Sequence, residues 1–110
     1  MKDKFGNYVF QKLFEKGLPQ HKLALLETVK GSIVDLSSHA YGCRVIQKAI
    51  EAIHELGTSV EDFLQEVEPY ALQLTENVNG NHVIQKCFEI FPQESLEKIV
   101  IIICNNVKIY

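Results

Sequence analysis

An eleven-residue pattern occurs three times in this chain, and it restricts the fold more than any other feature of the sequence. The copies are FGNYVFQKLFE from Phe5, YGCRVIQKAIE from Tyr41 and NGNHVIQKCFE from Asn79. Their glycines are separated by 36 and 38 residues. Periods of about 20–50 residues are typical of solenoid proteins, in which each unit buries its apolar face against its neighbours. The sequence therefore predicts a stack of similar units.

Each unit is predicted to contain three helices. The repeated pattern forms the second of them, which we call the Gly-led helix. Apolar residues that precede Gly42 and Gly80 indicate a short helix before it. A third helix is predicted over residues 19–31 and 92–105, because proline is common where helices start, and glycine or asparagine where they end.

The middle unit differs in its third helix. There the segment TSVEDFLQEVEP takes this place, with Thr58 or Ser59 predicted as the N-cap and Pro69 as the end. The extra residues of the longer period are expected in the turn around AIHELGTS. The predicted repeats cover residues 1–31, 32–68 and 69–105, and a further unit starts within 106–110. No segment sustains the alternation of a strand, so the fold class is predicted as all-α.

The Gly-led helices each carry one broad apolar stripe, with spacings that indicate a helix buried on one side. The stripe residues are Val9, Phe10, Leu13 and Phe14, then Val45, Ile46, Ala49 and Ile50, then Val83, Ile84, Cys87 and Phe88. Cys87 is therefore predicted to pack in the core. Cys104, at the end of an apolar run, is predicted to pack as well.

Opposite the stripe, each Gly-led helix carries three polar or small residues in a fixed register, which we call a rung. Two of them are four residues apart and point the same way, and a planar side chain lies one residue after the first, about 100° round the helix. The rungs are Asn7, Gln11 and Tyr8; Cys43, Gln47 and Arg44; and Asn81, Gln85 and His82. Because the helices of a solenoid lie side by side, the rungs are expected to form a row on one surface.

The chemistry of a rung suits a nucleobase. An amide offers both a donor and an acceptor to a Watson–Crick edge, and bases stack on aromatic and guanidinium planes. The paired positions carry no charge, which favours base edges over phosphates. A solvated face, or packing between units, is the alternative interpretation, and it stays open for Arg44 in particular.

A lysine follows the glutamine of every rung. Lys12, Lys48 and Lys86 lie four residues past the planar side chain and share its edge of the helix. Each either approaches a phosphate or pairs with a glutamate three residues on, and the sequence leaves both open. Those glutamates are Glu15, Glu51 and Glu89.

Composition narrows the class of protein. Hydrophobic residues make up 46% of the 110 residues and charged residues 23%, as in globular proteins. The net charge of −3 argues mildly against a nucleic-acid partner, although the distribution of charge decides. The longest apolar run, residues 99–104, is far shorter than the ~18–20 residues of a membrane span. The start of the chain lacks the apolar segment of a signal peptide.

The three cysteines form no CxxC pair and are odd in number, which favours a reducing compartment, hence a cytoplasmic location. The sequence shows no triad, metal-ligand or phosphate-loop spacing, so we expect no enzyme and no cofactor. The four histidines fall in unrelated registers: His21, His39, His54 and His82.

The motifs NYVFQ, CRVIQ and NHVIQ, inside helical units of this length, closely resemble the RNA-binding repeats of the Pumilio (PUF) family. This family reads one base per helical repeat with two or three side chains. The resemblance covers nearly the whole chain, and the three motifs look like the second to fourth repeats of an eight-repeat domain. It implies a right-handed, armadillo-like superhelix of three-helix repeats.

The resemblance also implies a base for each rung. Asn7 with Gln11 should recognise uracil, with Tyr8 stacking, and Cys43 with Gln47 should recognise adenine, with Arg44 stacking. Asn81, Gln85 and His82 match uracil again. Because RNA in this family runs antiparallel to the protein, the implied triplet is 5′-UAU-3′, within a messenger RNA 3′ untranslated region.

Three alternatives remain at this point. The chain is a post-transcriptional regulator of messenger RNA, a helical-repeat scaffold for proteins bound on its outer surface, or a ribosome-assembly relative with weak RNA specificity. The pattern starts inside one repeat and stops at the beginning of another. We therefore expect either a piece of a longer protein or a chain that self-associates through ends that expose apolar surface.

Overall fold

A computed structural model describes residues 4–57 and 60–106 of the chain, and these residues form helices and short connections without a strand. The helices are α1 (Lys4–Lys16), α2 (Pro19–Val29), α3 (Ile33–Ser37), α4 (Gly42–Leu56), α5 (Val60–Val67), α6 (Ala71–Glu76), α7 (Gly80–Ile90) and α8 (Gln93–Asn106). A single 3₁₀ turn, Glu68–Tyr70, joins α5 to α6. The predicted all-α class is confirmed.

The middle and third units each contain a short helix, the Gly-led helix and a third helix, in the predicted order. The middle unit contains α3, α4 and α5, and the third contains α6, α7 and α8, while α1 and α2 form the first. Helices α4 and α7 begin at the repeated glycines. Helix α5 ends before Pro69, as expected, but the chain continues through the 3₁₀ turn rather than a loop. The predicted N-caps Thr58 and Ser59 lie outside the described residues.

The segment expected to contain the extra residues of the middle unit is mostly helical, because α4 continues to Leu56. Helix α4 has 15 residues and α7 has 11, so the Gly-led helix of the middle unit extends about one turn further, into the segment where the two additional residues were expected. Gly57 then ends α4 in the left-handed conformation, at φ 67°.

The repeated glycine allows the Gly-led helix to lie against the short helix before it. A Cβ atom at Gly42 would stand 2.4 Å from the carbonyl oxygen of Leu36, and one at Gly80 would stand 2.8 Å from that of Leu74. Both distances are shorter than van der Waals contact, and the obstacle is backbone. Any larger residue would therefore push the two helices apart, and the pattern keeps glycine at this register.

The Gly-led helices stack in chain order, with α4 packed against both α1 and α7. Helix α4 consequently buries its stripe completely: Val45, Ile46, Ala49 and Ile50 are each 0% exposed. The stripes of the outer two helices are only partly covered. Val9 and Leu13 of α1 are 37% and 41% exposed, and Phe88 of α7 is 44% exposed, because no described unit packs on those sides.

The two predictions for core cysteines have different outcomes. Cys87 is 1% exposed, which confirms its place in the core, and burial raises the pKa of its thiol to about 12. The prediction for Cys104 is wrong, because its side chain is exposed. It lies on the face of α8 that also exposes Val100, in an open groove that residues of α6 and α7 line with it.

Candidate nucleic-acid interface

The three rungs form a row, as the stacking of α1, α4 and α7 requires. Ion pairs across both helix junctions fix this register: Lys48 Nζ lies 2.8 Å from Glu15, and Lys86 Nζ lies 3.0 Å from Glu51. Each of these lysines follows the glutamine of its rung directly. Equivalent positions on neighbouring helices are therefore adjacent in space.

The planar side chain of every rung is exposed. Tyr8 is 58% exposed, and Arg44 and His82 also lie on the surface. The ammonium group of Lys12 lies 5.7 Å from the centroid of the Tyr8 ring, within the range of a cation–π contact. This contact adds to the preference of the ring for one orientation.

The third rung is held by a hydrogen-bond network. Gln85 Nε2 donates to Asn81 Oδ1 at 2.9 Å. Asn81 Nδ2 donates in turn to the backbone carbonyls of Asn77, at 2.9 Å, and Val78, at 3.0 Å. Both donors of Asn81 are thus used within the protein, and Asn81 orients Gln85. The Gln85 side chain is exposed, and its carbonyl oxygen and second N–H take no part in this network.

The start of α7 carries a cap that the repeat pattern did not reveal. Asn77 Oδ1 accepts hydrogen bonds from the backbone N–H groups of Asn79 and Gly80, each at 2.8 Å. Asn79 Nδ2 donates to the Ser38 carbonyl of the preceding unit at 3.1 Å. An asparagine shortly before a helix start is a usual signal for such a cap, so the sequence alone could have indicated it.

The glutamines of the first two rungs are less exposed than Gln85. Gln11 and Gln47 are half-buried, and the side chain of Asn7 lies outside the described part of the structure. Cys43 is 4% exposed, and its thiol donates to the Ala40 carbonyl at 3.4 Å. Burial raises the pKa of the Cys43 thiol, although Arg44 and Gln47 act in the opposite direction. The Cys43 thiol is therefore kept neutral, and little of its surface is exposed.

The lysines beside the rungs are ion-paired. Lys12 lies 3.5 Å from Glu15 and Lys48 lies 3.4 Å from Glu51, the predicted pairs with a glutamate three residues on. Lys86 pairs instead with Glu51 of the preceding unit. Contact between these lysines and phosphate stays a prediction, and Lys12 is the most exposed of them, at 49%.

A further ion pair between units lies away from the rungs and was missed from the sequence. Lys22 of α2 is only 4% exposed, and its Nζ donates to both carboxylate oxygens of Glu55, at 3.1 and 3.0 Å. No periodic signal marks Lys22, because its position in the first unit has no lysine counterpart in the matching segment that starts at Pro92.

Residues 4–57 and 60–106 include no helix long and apolar enough to cross a membrane.

The same part of the chain contains no group of three or more histidine, cysteine, aspartate or glutamate side chains placed to hold a metal ion.

The comparisons with known proteins identify the family. The model of the Pumilio-family RNA-binding repeat matches residues 1–29, 32–55 and 70–104. The chain therefore belongs to the Pumilio family, and its fold is the helical-repeat solenoid of that family.

Related proteins from several organisms match the chain. The Pumilio domain-containing protein C6G9.14 of Schizosaccharomyces pombe is 34% identical over 96% of this chain. Pumilio homolog 1 of Xenopus laevis is 46% identical over 62% of the chain. The chain spans only 15% and 6% of the lengths of these two relatives.

Solved structures of RNA complexes are similar to this chain as well. The Puf3 RNA-binding domain bound to a Cox17 RNA 3′ UTR recognition sequence is 40% identical, with a TM-score of 0.85, and the match covers 96% of this chain and 29% of that domain. The Puf4 RNA-binding domain bound to the HO endonuclease RNA 3′ UTR recognition sequence is 34% identical, with the same TM-score of 0.85, over 96% of this chain and 32% of that one.

Proposed function

We propose that this chain binds single-stranded RNA and recognises one base with each rung. The observation that carries the proposal is the alignment of three rungs, each with an exposed planar side chain, along α1, α4 and α7. Base stacking on such side chains contributes about 1–3 kcal/mol per base. The similarity to Puf3 and Puf4 domains in complexes with 3′ UTR sequences supports RNA as the ligand.

The third rung suits uracil. The carbonyl oxygen of Gln85 can accept from uracil N3–H, while the N–H that does not bind Asn81 can donate to a uracil carbonyl. Asn81 contributes by fixing the position of that amide, because its own donors are bound to backbone carbonyls. His82 stacks on the base. In the first rung we assign the same roles to Asn7, Gln11 and Tyr8.

The middle rung suits adenine. Gln47 can accept from the adenine N6 amino group and donate to N1, and the small Cys43 leaves room for the larger purine ring. Arg44 supplies a guanidinium plane for stacking. With the RNA antiparallel to the protein, the proposed triplet is 5′-UAU-3′.

We further propose a role in the post-transcriptional control of messenger RNA in the cytoplasm, as a binding module and not an enzyme. The 3′ UTR sequences in the related complexes support the first part. Three unpaired cysteines, two of them buried, support a reducing compartment. The RNA-binding nature of the family supports the absence of catalysis.

Replacing Tyr8 by alanine should weaken binding of UAU-containing RNA by about 5- to 150-fold, which corresponds to the loss of one stacked base. The fold should be retained, because Tyr8 is 58% exposed. Fluorescence anisotropy with labelled RNA measures the affinity, and circular dichroism checks the fold. Tyr70→Ala is the matched control, since Tyr70 is 47% exposed but lies in the 3₁₀ turn away from the rungs. Equal losses in the two variants, or melting of Tyr8→Ala, would remove Tyr8 from the interface.

A further inference from the structure

Five charged side chains form one continuous series beside the rungs, which we call the Lys–Glu row. Its members, in order, are Lys12, Glu15, Lys48, Glu51 and Lys86, and the separations between consecutive partners are 3.5, 2.8, 3.4 and 3.0 Å. The sign alternates along the series. The same contact, from a lysine to the glutamate of the preceding unit, recurs at both junctions between Gly-led helices.

The carboxylates of the row each hold two lysines. Partial burial acts to raise the pKa of Glu51, but the hydrogen bond from Lys86 and the charges of Lys48 and Lys86 hold it below its usual value. The hydrogen bond to Glu15 is the main influence that raises the pKa of Lys48. Both shifts favour the charged, paired state. The exposure of the lysine side chains falls along the row, from 49% at Lys12 to 31% at Lys48 and 22% at Lys86.

In the third unit, the glutamate at the equivalent position is not ion-paired to any residue that the structure describes. Glu89 occupies the position of Glu15 and Glu51, is exposed, and forms no ion pair with any residue in the described part of the chain. Among the described residues, Lys86 forms an ion pair only with Glu51, across the junction between units. The chain thus contains a paired carboxylate and an unpaired one at equivalent positions of adjacent helices.

We propose that the Lys–Glu row limits the sequence-independent part of RNA binding by this chain, because it withholds from phosphate the lysines that flank the rungs. This inference rests on the proposed function. Contacts between lysine and phosphate are the same for every sequence, so each one adds affinity without discrimination. A lysine held by carboxylates adds little of this affinity, and the rungs then account for a larger share of the binding energy.

The test compares two substitutions that change the net charge equally. Glu51→Gln releases Lys86, and we expect the slope of log K against log [NaCl] to steepen by about 0.7, the value for one phosphate contact on a single strand. The affinities for CCC-containing and UAU-containing RNA should rise by the same factor, so the ratio between them stays constant. Glu89→Gln should leave the slope unchanged, because Glu89 holds no described lysine.

A second variant distinguishes the effect of releasing Lys86 from the effect of any change in folding. In the double variant Glu51→Gln with Lys86→Met, the slope should return to that of the unaltered chain. Steepening of equal size in Glu51→Gln and Glu89→Gln, or none in either, would overturn the inference while leaving the proposed function intact. An unaltered chain that binds neither RNA at the lowest salt would overturn the proposed function itself.

Discussion

Replacing Ile50 by alanine is expected to lower the free energy of unfolding by about 2–5 kcal/mol, the usual cost of such a truncation in a core. Ile50 is 0% exposed, because α1 and α7 cover α4 from both sides. Domains of this size have a total stability of about 5–15 kcal/mol, so the loss is a large fraction of it. Urea unfolding followed by circular dichroism measures the change as a shift of the midpoint at constant slope.

The repeat itself provides the control. Phe88 occupies the register of Ile50 in the third unit but is 44% exposed, since no described helix packs on its side. Phe88→Ala removes more carbon atoms than Ile50→Ala, yet it should cost clearly less stability, because much of that surface already contacts water. A loss at Phe88 as large as that at Ile50 would contradict the order of stacking, with α4 in the middle.

Changing Cys43 to serine together with Gln47 to glutamate is expected to convert the middle rung from adenine to guanine recognition. A glutamate carboxylate accepts from the N1–H and N2–H₂ donors of guanine, whereas adenine offers N1 only as an acceptor. A bidentate contact to a base edge contributes about 1–3 kcal/mol of discrimination. The variant loses the contact to adenine and gains one to guanine, so its preference between UAU and UGU RNA should be reversed. Anisotropy titration of both RNAs measures this preference.

The control for this variant carries the same added charge at a distance. Gln65 is an exposed glutamine on α5, which is not one of the helices that carry the rungs. Gln65→Glu should weaken the binding of both RNAs slightly and equally, because the added negative charge repels phosphates. An unchanged preference in the rung variant would exclude Gln47 from base recognition.

Most of the fold could be predicted from the sequence, because the same helix-forming pattern occurs in three copies. Helices begin at Gly42 and Gly80, at Pro19 and directly after Pro92, as the repeated glycines and prolines predict. Predictions made from one copy failed where the copies have different neighbours. Phe88 and Cys104 are exposed although their apolar patterns match core positions, since burial depends on which helix lies alongside.

The candidate site could be predicted as a set of residues but not as a set of contacts. The register of Gln11, Gln47 and Gln85 is visible in the sequence, whereas the pairing of Lys86 with Glu51 depends on the distance between α4 and α7. The bonds of Asn81 to backbone carbonyls likewise require the path of the chain before α7. The spacing of residues along one helix predicts neither the ion pair between helices nor these hydrogen bonds.

The most direct test of base-by-base recognition is a titration of the unaltered chain with short labelled RNAs that contain UAU, UGU or CCC, at one fixed salt concentration. Since each mismatched base typically costs about 1–3 kcal/mol in sequence-specific recognition, UAU should bind about 5- to 150-fold more tightly than UGU, with CCC weaker than UAU as well. Equal affinity for all three RNAs would contradict recognition of bases by the rungs.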